Sequence, residues 1–338
     1  MTDSRVTIID PLILQKVFGP SDEYLRMVRR ALGVSITIDA GHLVLKGEPE
    51  FVSKASLLFE QLQVYVRQYG ELVADDVQRA ISEIQQGNGI TFVKPLDVYG
   101  ARRVRPKTAG QASYVEMLRR KEVVICTGPA GTGKTYLAVA RAVEALRSES
   151  IRKIVLVRPA VEAGESLGFL PGDLHAKINP YLRPLFDALG EMIDRDMLRR
   201  SMEEDRIEVI PLAYMRGRTL NNAYIILDEA QNTTTAQMKM FLTRMGFGSR
   251  IAVCGDVTQI DLPTHKRSGL VDALVRLKGI NGIGTIRLGA SDIVRHSLVQ
   301  QIVMAYEQTG RVVFDHSREA SELHDEESPR PVSEGEVR

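Results

Sequence analysis

The sequence predicts an α/β protein, a parallel sheet flanked by helices, with a small α+β domain in front of it. Three observations carry this. The apolar runs VVIC, IVLV, YIIL and IAVC each stop at a glycine loop or a polar residue and read as buried strands. The first of them passes through a glycine-rich loop into the helical pattern LAVARAVEAL. Residues 5–69 read in the order β-α-loop-α-β-β-α.

Composition narrows the partners. Lys+Arg 44 against Asp+Glu 43 leaves a net charge of +1, so no global basic field draws nucleic acid, and any such surface is local. The start MTDSRVTIIDPLILQ lacks the basic and long apolar regions of a secretory signal. No run approaches the roughly 18 apolar residues of a membrane span. The expectation is a soluble cytoplasmic chain without membrane association. Cys126 and Cys254 close strand runs and read as small apolar core residues, not as a disulfide or metal ligands.

In the front domain, taken as residues 1–86, RVTIID reads as a strand and PLILQKVF as a helix opening on Pro11. Leu25, Val28 and Leu32 share one face of a second helix, and Ile36/Ile38 and Leu43/Leu45 alternate around an Ala40-Gly41 turn. Val52, Ala55, Phe59, Leu62 and Val66 make a helical stripe ending at Gly70, and 71–86 reads as one more helix. This order resembles a KH domain, with Gly19-Pro20-Ser21-Asp22 at the position of the nucleic-acid-gripping GXXG loop. The second glycine is missing, and Asp22 would repel phosphate. Direct RNA contact and a docking or oligomerisation role both stay open. Residues 87–110 read as a basic linker, where Lys94, Arg102, Arg103, Arg105 and Lys107 face Asp97 alone. It is either a solvated connector or a phosphate-backbone contact. Residues 111–317 are the main α/β domain, and 318–338, rich in Glu, Ser and Pro, read as a disordered acidic tail.

The main domain carries chemistry. Gly128-Pro129-Ala130-Gly131-Thr132-Gly133-Lys134-Thr135 matches G-x-x-x-x-G-K-[ST] in the strand–loop–helix setting that a P-loop NTPase requires, with Tyr136 following. Backbone amides and the helix start would cradle ATP phosphates, Lys134 would reach the β- and γ-phosphates, and Thr135 would hold Mg²⁺. AYIILDEAQNTT ends an apolar strand in two acids. Asp228 suits the Mg²⁺ site, and Glu229 is placed to orient and deprotonate an attacking water, which argues for hydrolysis. Gln259, in GDVTQ after another strand, can sense the γ-phosphate. Gln111 either pairs with the adenine edge or bonds loop backbone. Arg295 opens a helical pattern, and Tyr114 is core packing or a base stack. Gln231 and Asn232 are candidate caps of the next helix, with Asn232 or Thr233 favoured.

Together these residues resemble the PhoH family, whose RecA-like ATPase core is similar to the first motor domain of superfamily-one RNA/DNA helicases. The resemblance covers nearly all of residues 5–317. It implies ATP hydrolysis coupled to RNA work, with Asp228-Glu229-Ala230-Gln231 as motif II and Gly255 to Gln259 as motif III. It places Arg158-Pro159 where single strands are touched, although Arg158 equally caps its strand or pairs with Glu162. It implies single-stranded RNA as substrate, a role in ribosome and RNA maturation, and a YbeY-type endoribonuclease partner. Helicases close the site with a second motor domain. Only a tail follows here, so a head-to-tail homo-oligomeric ring, a hexamer, is the expectation, with Arg295 as an arginine finger. A regulatory nucleotide switch or scaffold is the alternative. The Asn-Lys-x-Asp base reader of GTPase switches does not occur.

Overall fold

The protein is described here by a computed structural model covering residues 2–8, 10–87, 89–90, 93–100, 103–159, 174–294, 298–299 and 302. Every element below belongs to the unit Met1–Val294. Arg102, Glu162, Arg295 and the tail expected at 318–338 lie outside the described residues, as do residues 160–173.

The front of the chain runs β1 (Thr2–Thr7), α1 (Pro11–Phe18), α2 (Glu23–Leu32), β2 (Ser35–Asp39), β3 (His42–Gly47), α3 (Pro49–Tyr69) and α4 (Ala74–Gln85). Pro11 occupies the first turn of α1, and Asp10 caps it by accepting from the Leu12 amide at 2.8 Å. The β2–β3 hairpin turns through Ala40 (φ 45°) and Gly41 (φ 81°), as two-residue turns of the right twist demand. The sheet order is β1-β3-β2, antiparallel throughout. The α3 stripe is buried as its spacing predicts, and α4 adds Val77, Ile81 and Ile84 to the same core. Ile38 departs from its expected pairing with Ile36: it is 58% exposed, two residues along the edge strand from buried Ile36.

The second body runs α5 (Ala109–Arg120), β4 (Val123–Thr127), α6 (Lys134–Arg147), β5 (Lys153–Arg158), α7 (Leu174–Gly190), α8 (Arg195–Glu203), β6 (Ile207–Pro211), β7 (Ala223–Leu227), α9 (Thr235–Leu242), β8 (Arg250–Gly255), α10 (Gly269–Arg276) and β9 (Ile283–Arg287). The strands form a six-stranded sheet in the order β6-β5-β7-β8-β4-β9, with every pairing parallel. Alternate residues feed two cores. Cys126, Leu156, Ile226 and Cys254 face α5–α8, while Ile125, Val157, Leu227 and Val253 face α9 and α10. The all-round apolar strands follow from burial on both faces. Cys126 and Cys254 are register partners, free and buried, and Tyr114 is core: its hydroxyl stands 3.4 Å from the Cys254 Sγ. Burial pushes both thiols up, Cys254 to about 12. Among the described residues no helix is long and apolar enough to cross a membrane.

The expected basic linker is not a free connector. Val93, Leu96, Val98 and Val104 are buried in the α5–α8 core, and Leu96 bridges Val104. Three of its cations are ion-paired, by Asp97 within the stretch and by Glu71 and Asp76 from outside it. Arg105 meets Asp76 at 2.6 Å and Glu71 at 2.7 Å, Arg103 meets Asp97 at 2.9 Å, and Lys94 meets Asp97 at 3.3 Å. A sequence count that saw only Asp97 missed Glu71 and Asp76, which the fold supplies.

Asp76 also accepts from Tyr65 and faces Arg79, and its side chain is 2% exposed. Burial raises its pKa against the pull of the Arg105 and Arg79 guanidiniums. Replacing Asp76 by Ala would leave Arg79, its side chain 5% exposed, without its carboxylate and Arg105 with Glu71 alone. The unfolding midpoint in denaturant is expected to drop by an amount corresponding to about 3 kcal/mol or more. A change of under ~1 kcal/mol would mean that the cluster behaves as an exposed ion pair.

Candidate active site

The parallel sheet collects the chemistry at one edge, the carboxyl ends of its strands. β4 ends in the loop 128–133, anchored on both sides: the Gly128 amide donates to the Gly255 carbonyl (3.2 Å) and the Leu288 amide to the Thr127 carbonyl (2.8 Å). Gly128 has φ 155°, and a Cβ there would stand 2.6 Å from the Leu288 carbonyl oxygen, so no side chain fits. Buried Thr132 braces the loop from within by donating to Pro129 at 2.8 Å. Lys134 opens α6, and its Nζ donates to the carbonyls of Gly128 (2.7 Å) and Pro129 (2.9 Å), which hold the ammonium over the loop.

Thr135 Oγ1 donates to Asp228 Oδ1 at 2.5 Å. Asp228 is buried; burial first, then neighbouring Glu229, pushes its carboxyl up, while Thr135 and Arg158 pull it down. Two hard oxygens converge there, a fit for Mg²⁺, which takes one or two protein ligands and completes its octahedron with phosphates and water. No larger cluster of His, Cys, Asp and Glu able to hold a metal exists among the described residues. Glu229 follows in a left-handed conformation (φ 49°). Its Oε2 accepts from Gln231 Nε2 at 2.7 Å and its Oε1 from Arg158 Nη2 at 3.3 Å. Gln231, 1% exposed, in turn accepts from the Asp256 amide at 3.0 Å, and Asp256 Oδ2 accepts from Gln259 Nε2 at 2.9 Å.

A cavity of about 460 Å³ lies over these groups. Ala130, Gly131, Gly133, Lys134, Thr135, Tyr136, Asp228, Glu229, Asp256 and Gln259 line it, as do Asp187 and Glu191 of α7. The structure therefore brings together the loop, the acid pair and Gln259 as the sequence predicts. Gly128, Pro129 and Thr132 shape the loop from behind without lining the cavity. Gln111 does not line it either. Buried at 4% exposure, Gln111 accepts from the Lys107 amide (2.7 Å) and donates to the carbonyls of Thr132 (3.1 Å) and Asp292 (3.4 Å), the backbone-bonding alternative. Arg158 pairs with Glu229, a partner that only the register of β5 beside β7 reveals. The cap of α9 is Thr234, through a capping box with Gln237, rather than Asn232 or Thr233: Thr233 donates to the Ala230 carbonyl, and Asn232 binds Asp261. Sequence reading missed the strap 288–294, in which Asp292 accepts from Thr108 (2.5 Å) and the Val294 amide donates to the Gly131 carbonyl (3.0 Å).

A parallel sheet with this loop, lysine and acid pair at its carboxyl edge defines a P-loop nucleotide-binding protein of the α/β class. The family model for PhoH-like protein matches residues 103–307. The chain is 48% identical to a PhoH-like protein of Bacillus subtilis over 297 residues, covering 86% of this chain and 93% of that one. It is 44% identical to Protein PhoH of Escherichia coli K12 over 232 residues, 68% of this chain and 66% of that one. The chain belongs to the PhoH family. Among solved structures it is similar to Pif1 helicase from Candida albicans, with TM-score 0.34 and 16% identity over 67% of this chain and 48% of that chain.

The place of Gln111 yields a sharp expectation. If it fixes the loop through the Thr132 carbonyl, Gln111→Ala weakens ATP and GTP by the same factor, about fivefold to tenfold for one buried bond. Equilibrium binding of fluorescent analogues of both reads this. A loss confined to ATP would return Gln111 to reading adenine.

Proposed function

We propose that the chain is a Mg²⁺-dependent ATPase whose turnover is coupled to binding or remodelling single-stranded RNA in RNA and ribosome maturation. The observation that carries the ATPase reading is that Glu229 lines the same cavity as Lys134, Thr135 and Asp228. The amides of 131–134 and the start of α6 hold the phosphates, and Lys134 leaves its loop carbonyls for the β- and γ-phosphates. Thr135 and Asp228 hold Mg²⁺, which, when bound, neutralises charge on the transferred phosphoryl group. Glu229 orients a water and takes its proton as the water oxygen bonds to the γ-phosphorus and the bond to the β–γ bridging oxygen breaks. Gln259, tied to Asp256, stands where loss of the γ-phosphate is felt.

Lys134 is the sole Lys or Arg among the described residues lining the cavity, against Asp187, Glu191, Asp228, Glu229 and Asp256. This supports a further cation from Arg295 or from a neighbour in a homo-oligomeric ring, hexameric by family resemblance. For RNA, the β-α-α-β-β-α order supports a KH-like front domain, and Arg26, Arg29 and Arg30 are exposed on α2, the helix that follows the loop 19–22. The ion-paired linker is the weaker RNA surface. Family membership supports a YbeY-type endoribonuclease as partner and a cytoplasmic setting.

Lys134→Ala is expected to abolish ATP binding or turnover, because the triphosphate loses the cationic side chain of its loop. Glu229→Gln should bind ATP with near-normal affinity and hydrolyse it ~10²-fold more slowly or worse; equal losses in both would make Glu229 structural. RNA affinity should fall steeply with salt, and replacing Arg26, Arg29 and Arg30 by Ser should flatten the plot of log affinity against log salt. An unchanged slope would place the RNA path away from α2.

A further inference from the structure

Glu229 stands in a wall between two cavities. One is the nucleotide cavity; the other, about 90 Å³, is lined by Arg158, Pro159, Tyr181, Gln231, Asn232 and Asp261 and shares Glu229 and Gln259 with the first. A glutamate whose side chain is 37% exposed ordinarily samples several rotamers. This one is gripped on both oxygens, by Gln231 and by Arg158.

Both grips are themselves fixed. Gln231 is buried and bonded to the Asp256 amide. Arg158 is the last residue of β5, and the Asp228 amide donates to the Val157 carbonyl at 2.9 Å, so the backbones of Arg158 and the acid pair are locked side by side. The Arg158 Nη1 donates to the Tyr181 carbonyl at 2.8 Å, which pins the guanidinium plane and leaves Nη2 for Glu229. A planar fork held at one prong directs the other; a flexible ammonium does so far less well. The left-handed backbone at Glu229, costly for a residue with a Cβ, belongs to the same constrained arrangement.

We propose that Arg158 is a positioning residue for hydrolysis: with Gln231 it holds the Glu229 carboxylate in the one orientation that presents a lone pair to the attacking water. The inference rests on the ATPase reading above. Arg158 does not line the nucleotide cavity, so it acts through Glu229 and not on the substrate.

The test is steady-state ATPase on the full-length chain for Arg158→Ala, the stem-preserving Arg158→Met and Arg158→Lys, each also in a Glu229→Gln background. Affinity for a non-hydrolysable ATP analogue and thermal unfolding are measured alongside. Loss of Arg158 should lower kcat by about 10- to 100-fold, the scale of a misplaced catalytic group, with KM and analogue affinity within about threefold. Lys should recover part of the loss. In the Glu229→Gln background the Arg158 substitutions should cost nothing further, the signature of two residues acting as one. An undiminished kcat, a change confined to KM, or an additive loss in the double variants overturns the proposal, as does a kcat loss in Ala and Met that only tracks falling thermal stability. A wild-type chain that binds ATP without hydrolysing it overturns the ATPase reading and this inference together.

Discussion

The Thr135–Asp228 hydrogen bond is the contact on which the rest of the site depends. It joins residues 93 apart in sequence, one at the start of α6 just after β4 and one at the end of β7, two strands with β8 between them. At the end of β8, Gly255 ties the loop after β4 by accepting from the Gly128 amide, and its lack of a side chain leaves room for Gln231 and Leu270: a Cβ there would stand 2.8 Å from the Gln231 Oε1 and 2.6 Å from a Leu270 methyl. The intervening strand thus fixes both the loop that leads to Thr135 and the glutamine that holds Glu229.

Around it the fold arranges charge with some economy. Acids crowd the nucleotide cavity, where a polyanion would be costly to hold without compensating cations. The loop meets this with backbone dipoles and a single lysine, and the strap from Leu288 to Val294 keeps those dipoles aimed by bonding to Thr127 and Gly131. In the stretch before α5, Arg105 is taken up by Asp76 and Glu71, so basic character read there from the local sequence is offset by acids that the fold brings in.

What was legible in the sequence was local. The glycine loop, its strand and its helix are contiguous, and so are Asp228 and Glu229 at the end of an apolar run; their chemistry could be read from spacing because backbone geometry alone fixes it. The front-domain stripe was legible for the same reason. What escaped needs the register between distant strands. Nothing in IVLVRP says that Arg158 lies beside Glu229, because that follows from β5 pairing with β7. The cap of α9 slipped by one residue because Asn232, Thr233 and Thr234 are all competent caps; the competition was settled when Asp261 engaged Asn232 and the Ala230 carbonyl engaged Thr233. Val93, Leu96, Val98 and Val104 hid in a stretch whose charges dominated its appearance, and only the packed core shows them as interior.

The two cysteines have a practical consequence. Each lies at the centre of a covered sheet, faces its register partner across one strand gap and is held far from the thiolate form at neutral pH. Thiol-specific reagents, which react with thiolates they can reach, should therefore leave the native chain untouched. A spectroscopic probe attached to a cysteine introduced on the surface would report from that one position, with the unaltered protein already serving as the silent background for distance and mobility measurements.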